Sequence, residues 1–120
     1  MHPVNLGLRF LLELAALAGI GLWAWRLAPG WAGWAVAIAA VAAAAALWGM
    51  FNVPGDPSRS GAAPVPVPGT VRLALELALL FGGAAALWAS GNLRAGIIIG
   101  LLVLVHYIWG HERLIWLLRQ

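Results

Sequence analysis

Apolar residues fill four long stretches of the chain, 6–26, 31–51, 71–89 and 93–110, and polar residues collect between and after them. Each stretch approaches the roughly 20 residues that an α-helix needs to cross bilayer hydrocarbon, so the pattern predicts four membrane-spanning helices. Ala28-Pro29-Gly30 and Ser90-Gly91-Asn92 separate the members of each pair as tight turns, because Pro and Gly stop a helix. Asn5, Thr70 and Asn92 stand where side-chain oxygens would cap the first, third and fourth helices. The long polar stretch, 52–70, holds five of the seven prolines, which favours an extended polyproline II strap carrying the chain across the end of a bundle. Beyond Gly110 the helix is expected to run outward as an interfacial tail, 111–120, with Leu114, Ile115, Trp116, Leu117 and Leu118 along the membrane surface.

The polar interruptions occur twice in the same order. Leu8-Arg9-Phe10-Leu11-Leu12-Glu13-Leu14 returns as Val71-Arg72-Leu73-Ala74-Leu75-Glu76-Leu77, and Leu47-Trp48-Gly49 returns as Ile108-Trp109-Gly110. The expected fold is therefore all-α: an integral membrane four-helix bundle, one domain over 1–120, built from two tandem helix-hairpin repeats. Both pairs enter the membrane in the same sense, which makes the repeat parallel, unlike the inverted repeats of many transporters. A duplicated hairpin that buries its own face needs no transport function. The Ala-rich second helix is expected to pack its small face on other helices, and Gly96 and Gly100 form a GxxxG pattern that marks a further close helix contact.

Composition supports the bilayer as solvent. Hydrophobic residues make up 63% of the chain and charged residues 9%, and a soluble chain of this size has too little interior to hide that much apolar side chain. The net charge of +3 comes from seven basic residues, all Arg, against four acids. They are scattered at segment ends rather than clustered on a polar face, which argues for membrane topology and against nucleic-acid binding. Arg9, Arg59, Arg72, Arg113 and Arg119 fall on one side of a four-span arrangement and Arg26 and Arg94 on the other. That distribution places the termini and the loop 52–70 in the cytoplasm, for a protein of the bacterial inner membrane. The first apolar run carries Glu13 and lacks a basic lead, so it is expected to stay as a span rather than be cleaved as a signal. Trp48 and Trp109 then lie in the inner interfacial belt of aromatics.

No nucleophile constellation, phosphate loop or metal-ligand spacing appears, and without Cys there is no thiolate chemistry. No enzyme activity, cofactor or metal is expected. The chemistry lies in ionisable residues inside the spans. Arg9 with Glu13, and Arg72 with Glu76, share a helix face at i,i+4. Each Glu is one turn deeper than its Arg, where an acid is costly. Either the two pairs are clamps that fix helix register, or one Glu is a proton- or cation-binding carboxylate in a bundle or dimer cavity. His106 replaces the Ala45 of the first pair and lies at the depth of the acids, within expected reach of one of them, as a relay or as a packing residue.

Asn-Leu-x-Leu-Arg-Phe-Leu-Leu-Glu-Leu at 5–14, Leu-Trp-Gly-x-Phe at 47–51, the Pro-rich loop and Arg-Leu-x-Leu-Glu-Leu at 72–77 resemble the YrdB-like family of small bacterial four-span membrane proteins. The resemblance implies the architecture and adds no chemistry. Two function classes follow: a small oligomeric transporter or channel for protons, cations or hydrophobic solutes using Glu13, Glu76 and His106, or a structural or accessory subunit packing against larger complexes or lipid. Four spans rarely enclose a path alone, so a homodimer or association with another membrane protein is expected, with the lipid bilayer as the common partner.

Overall fold

The computed structural model of the chain describes residues 2–120. Helices α1 (Pro3–Trp25), α2 (Trp31–Met50), α3 (Gly69–Ala89), α4 (Leu93–Trp109) and α5 (His111–Leu118) account for most of it, so the fold is all-α. Helices α1, α2 and α3 are each long and apolar enough to cross a membrane, and α4 with α5 forms a pair bent by 72° that passes the same test together.

The helix starts differ from the expected caps. Pro3 opens α1, a position its fixed φ suits and where its missing N–H costs nothing. His2 is the cap, its Nδ1 accepting from Val4 N at 3.1 Å, and Asn5 is thereby freed for a tertiary role. Helix α3 begins at Gly69 after Pro68, so Thr70 lies inside the first turn. Asn92 does precede α4, but its side chain makes no capping bond and reaches back to Ser90 Oγ at 3.4 Å.

Helices α1 and α3 are the central pair, with α2 laid on α1 and α4 laid on α3 and the edge of α1. The central helices meet backbone to backbone: a Cβ added at Gly83 would fall on Ala16, and one added at Gly19 on the Gly83 carbonyl. Such close approach maximises dispersion contacts between the two backbones. Leu12, Ala16, Leu80, Val103 and Tyr107 form the core around that crossing. The Ala-rich helix packs one face on α1, as its small residues suggest, and being outside the central pair it touches neighbours on that side only. In α2 only Gly33 and Ala44 are buried. At the far end, Arg26 donates to the Ser90 carbonyl and ties the two short turns together.

The loop after α2 is not a single strap. Strand β1 (Phe51–Asn52) pairs in parallel with β2 (Val65–Pro66), Phe51 opposite Val65, so the segment between them leaves and returns at the same place. Its Pro-rich end is extended, at Val65–Pro66 and again at Pro68. Gly55 N bonds the Gly61 carbonyl at 3.1 Å, and Asp56 accepts from Ser58 N at 2.9 Å. The tail does not continue straight outward from α4. The bend at Gly110 turns α5 under the bundle, where Leu117 is fully buried and its carbonyl rests on Gly69. Ile115 and Leu118 remain exposed.

Candidate functional site

The N-terminal ends of α1 and α3, the C-terminal ends of α2 and α4, the loop and α5 all converge on one buried ionic cluster, and Glu76 is its centre. Helical spacing dictates the first contacts: Arg72 Nε reaches Glu76 Oε2 at 2.8 Å, and Arg9 Nε reaches Glu13 Oε1 at 3.3 Å, both at i,i+4. The packing of α1 on α3 adds the next. Arg9 turns its two terminal nitrogens onto Glu76, at 3.2 and 2.9 Å. Arg113 of α5 donates to both Glu76 oxygens and, through Nη1, to Asp56 Oδ1 at 2.6 Å. Tyr107 of α4 completes the set, its hydroxyl 2.8 Å from Glu76 Oε1.

Glu76 is thus fully buried and held by three guanidiniums and a phenol from four helices. A lone carboxylate at this depth would be strongly disfavoured. Charge-assisted bonds on both oxygens offset that cost and fix the geometry. Burial alone would lower the Arg113 pKa, but the hydrogen bonds to Asp56 and Glu76 outweigh it and raise the value. Glu13, by contrast, keeps a quarter of its side chain exposed and has Arg9 as its ion-pair partner. The repeated Arg–Glu pairs are equal in sequence and unequal in structure.

Arg72 does a second job. Its Nη1 donates to the Trp48 and Phe51 carbonyls, at 2.7 and 2.8 Å, satisfying acceptors left over at the end of α2. The Trp48 ring serves as a platform for cations, with Arg72, Arg9 and Arg59 at 4.6, 5.2 and 5.9 Å from its centre. Arg59 differs from the others: it approaches the ring without an ion pair to any carboxylate among the described residues. Burial, and then the charge of Arg9, lower its pKa, as befits a cation short of counter-charge.

His106 does not join either acid. Its Nδ1 lies 2.8 Å from Asn5 Oδ1, while Asn5 Nδ2 donates to the His106 carbonyl at 3.1 Å. With Asn5 Oδ1 as acceptor, Nδ1 carries the proton and donates, and the ring packs edge-on against Tyr107 at 4.8 Å. Asn5 therefore caps the end of α4 from α1, as Arg72 caps the end of α2 from α3. Tyr107, the next residue along, takes the contact to Glu76 that His106 was expected to make. Trp109 stacks on His2 at 5.4 Å, outside the cluster. Gly96 lies against α3, where an added Cβ would stand 2.7 Å from the Ala84 carbonyl, whereas Gly100 has only Ala84 Cβ, at 4.0 Å.

Asp56 and Tyr107 were not singled out by sequence reasoning, and Asn5 and Arg113 entered it only as a helix cap and a topology charge. Asp56-Pro57-Ser58 was the one available signal, since Asp in such a turn often bonds the N–H two residues on. No group of three or more His, Cys, Asp or Glu among the described residues could hold a metal ion.

A family model described as "Protein of unknown function (DUF2568)" matches residues 7–105, which span α1 to α4 and both Arg–Glu pairs. The "Uncharacterized protein YrdB" of Bacillus subtilis (strain 168) is 38% identical over 120 residues, covering all of this chain and 98% of that protein. No solved structure matches the chain. Matched along most of its length by the family model and from end to end by YrdB, the chain belongs to the YrdB-like DUF2568 family.

Proposed function

We propose that the protein is a four-span membrane protein of two duplicated hairpins that works as a structural or accessory subunit. Its ionic cluster, at the cytoplasmic end, is a permanent clamp. The observation that carries this is the saturation of Glu76, with six hydrogen bonds from four side chains on its two oxygens and none of its surface exposed. A carrier carboxylate must exchange its partners for cargo. Releasing Glu76 from Arg9, Arg72 and Arg113 would leave buried charges unpaired, at about 3–5 kcal/mol for a single broken pair. Glu13 is more open but lies at the rim, bonded to Arg9.

The outward face of α2 suits such a role. Trp31, Trp34 and Ile38 are largely exposed there, and that face would meet lipid, a second copy or another membrane protein. The test is a flux assay in proteoliposomes with wild type and Glu76→Gln. The clamp predicts proton and cation leakage equal to that of empty vesicles for wild type, and a lower melting temperature for the variant. Wild-type flux that vanishes in a still-folded Glu76→Gln protein would establish the transporter instead.

A further inference from the structure

We propose that the protein binds an anionic phospholipid, holding the headgroup phosphate at Arg59 and an acyl chain in the groove between α1 and α2. The inference rests on the membrane assignment above and goes beyond it by naming a ligand. At the cytoplasmic end a hollow of about 460 Å³ is lined by Arg9, Arg59, Ser58 and Ser60, with Leu6 and Phe10 forming its apolar wall. Glu13 also borders it, and Arg9 Nε neutralises that carboxylate at 3.3 Å. Arg9, Arg72 and Arg113 each have a carboxylate partner, and Arg59 has none. Half-buried over Trp48, it is the cation whose charge the cluster leaves open. A phosphodiester supplies one negative charge and acceptor oxygens that match a guanidinium fork. The Ser60 hydroxyl, which accepts from Ala62 N at 3.3 Å, keeps its proton for such an oxygen.

The continuation of the site along the membrane normal selects a lipid over a free phosphate. Leu6, Phe10, Glu13, Leu17 and Gly21 recur at spacings of three and four, so they share one face of α1. The first three border the polar hollow. Leu17 and Gly21 border a second groove of about 540 Å³, closed on the α2 side by Trp34, Ala37 and Val41 and lined by no polar side chain. Phe10 to Gly21 is about 17 Å of helix at 1.5 Å per residue. A phosphate at one end of that stripe and hydrocarbon beside the rest is the shape of a phospholipid, and a cytoplasmic basic site beside spans is where anionic headgroups gather.

The test uses the full chain purified in neutral detergent, with binding read by native mass spectrometry and by thermal melting. The probes are phosphatidylglycerol, phosphatidylcholine with the same acyl chains, and glycerol phosphate. Phosphatidylglycerol should be retained in preference to the other two. Arg59→Gln should weaken it by about fivefold, the worth of one basic residue at an anionic surface, and Arg59→Lys should keep most of the binding. Equal retention of both lipids, or Arg59→Gln binding phosphatidylglycerol as well as wild type, overturns the inference. Glycerol phosphate raising the melting temperature as much as the lipid overturns the lipid assignment. Recovery of the protein from the soluble fraction of cells, read before any lipid is added, would instead undo the membrane assignment.

Discussion

Arg9 and Glu76 lie 67 positions apart and form a two-pronged ion pair, Nη1 to Oε1 at 3.2 Å and Nη2 to Oε2 at 2.9 Å. The Arg of the first copy of the repeated pattern thus answers the Glu of the second, in addition to its own. The pairing fixes the axial register of α1 against α3, because sliding either helix by one turn would separate both prongs. It also explains why the two acids diverge. One carboxylate can sit at the meeting point of α1, α3, α4 and α5, and the other is left at the rim.

That asymmetry predicts unequal costs for the same change. Glu76→Gln leaves three guanidiniums facing a neutral group in a buried site and should destabilise by about 3–5 kcal/mol. Glu13→Gln removes one partly exposed pair and should cost under about 1 kcal/mol. Thermal unfolding of both variants in the same detergent checks the difference. Equal losses would mean that Glu76 is not the centre of the cluster.

Glycine contacts give a second prediction. Gly96→Leu would drive a side chain into the Ala84 carbonyl and Trp88, costing about 1–3 kcal/mol as overpacking does, or more where backbone must move. Gly100→Ala meets Ala84 Cβ at an ordinary contact distance and should change stability by less than about 1 kcal/mol. If the two melt alike, the approach of α4 to α3 at Gly96 is looser than described.

The apolar runs, the turns and the local Arg–Glu pairs were legible in the sequence because each depends on residues a few positions apart. The cross-pairing of Arg9 with Glu76 was not. It depends on which carboxylate Arg113 and Tyr107 can reach, and those arrive from a bent tail and a different helix with no periodicity to announce them. Asn5 was misread as a cap because Pro3 starts the helix two residues earlier, which turns Asn5 towards α4. The close crossing of the central helices involves Gly19 and Gly83 on different helices, whereas GxxxG reports only spacing within one helix. The strap was half legible: its prolines give an extended Val65–Pro66, but Asp56 pulls the preceding residues into a closed loop.

Asp56 should decide how firmly that loop is held. Its Oδ1 bonds Arg113 Nη1 at 2.6 Å and Ser58 N at 2.9 Å, so it joins loop to tail. Asp56→Ala should speed proteolytic cleavage within 53–64 while the helices stay protected. Combined with Arg113→Gln it should show a coupling of about 0.5–3 kcal/mol, since the two side chains share one contact. Additive effects would show that loop and tail are held independently.

The last prediction concerns the side of the membrane on which the cluster lies. His2 stacks on Trp109 at 5.4 Å, so the start of α1 and the end of α4 are at the same end of the bundle, together with the loop. Arg9, Arg59, Arg72 and Arg113 all belong to that end, while Arg26 sits by the Ser90 turn at the other. Basic residues in short loops are retained on the cytoplasmic side. Reporter fusions at Gly61 should therefore be cytoplasmic and those at Gly91 external. Arg26→Glu should leave the orientation unchanged, because the imbalance already favours it. Replacing half-buried Arg59 and exposed Arg119 with Gln should weaken the bias without touching the ion pairs, and should produce a measurable inverted fraction. Gly61 external in the wild type would reverse the orientation, and both reporters on one side would rule out two complete hairpins.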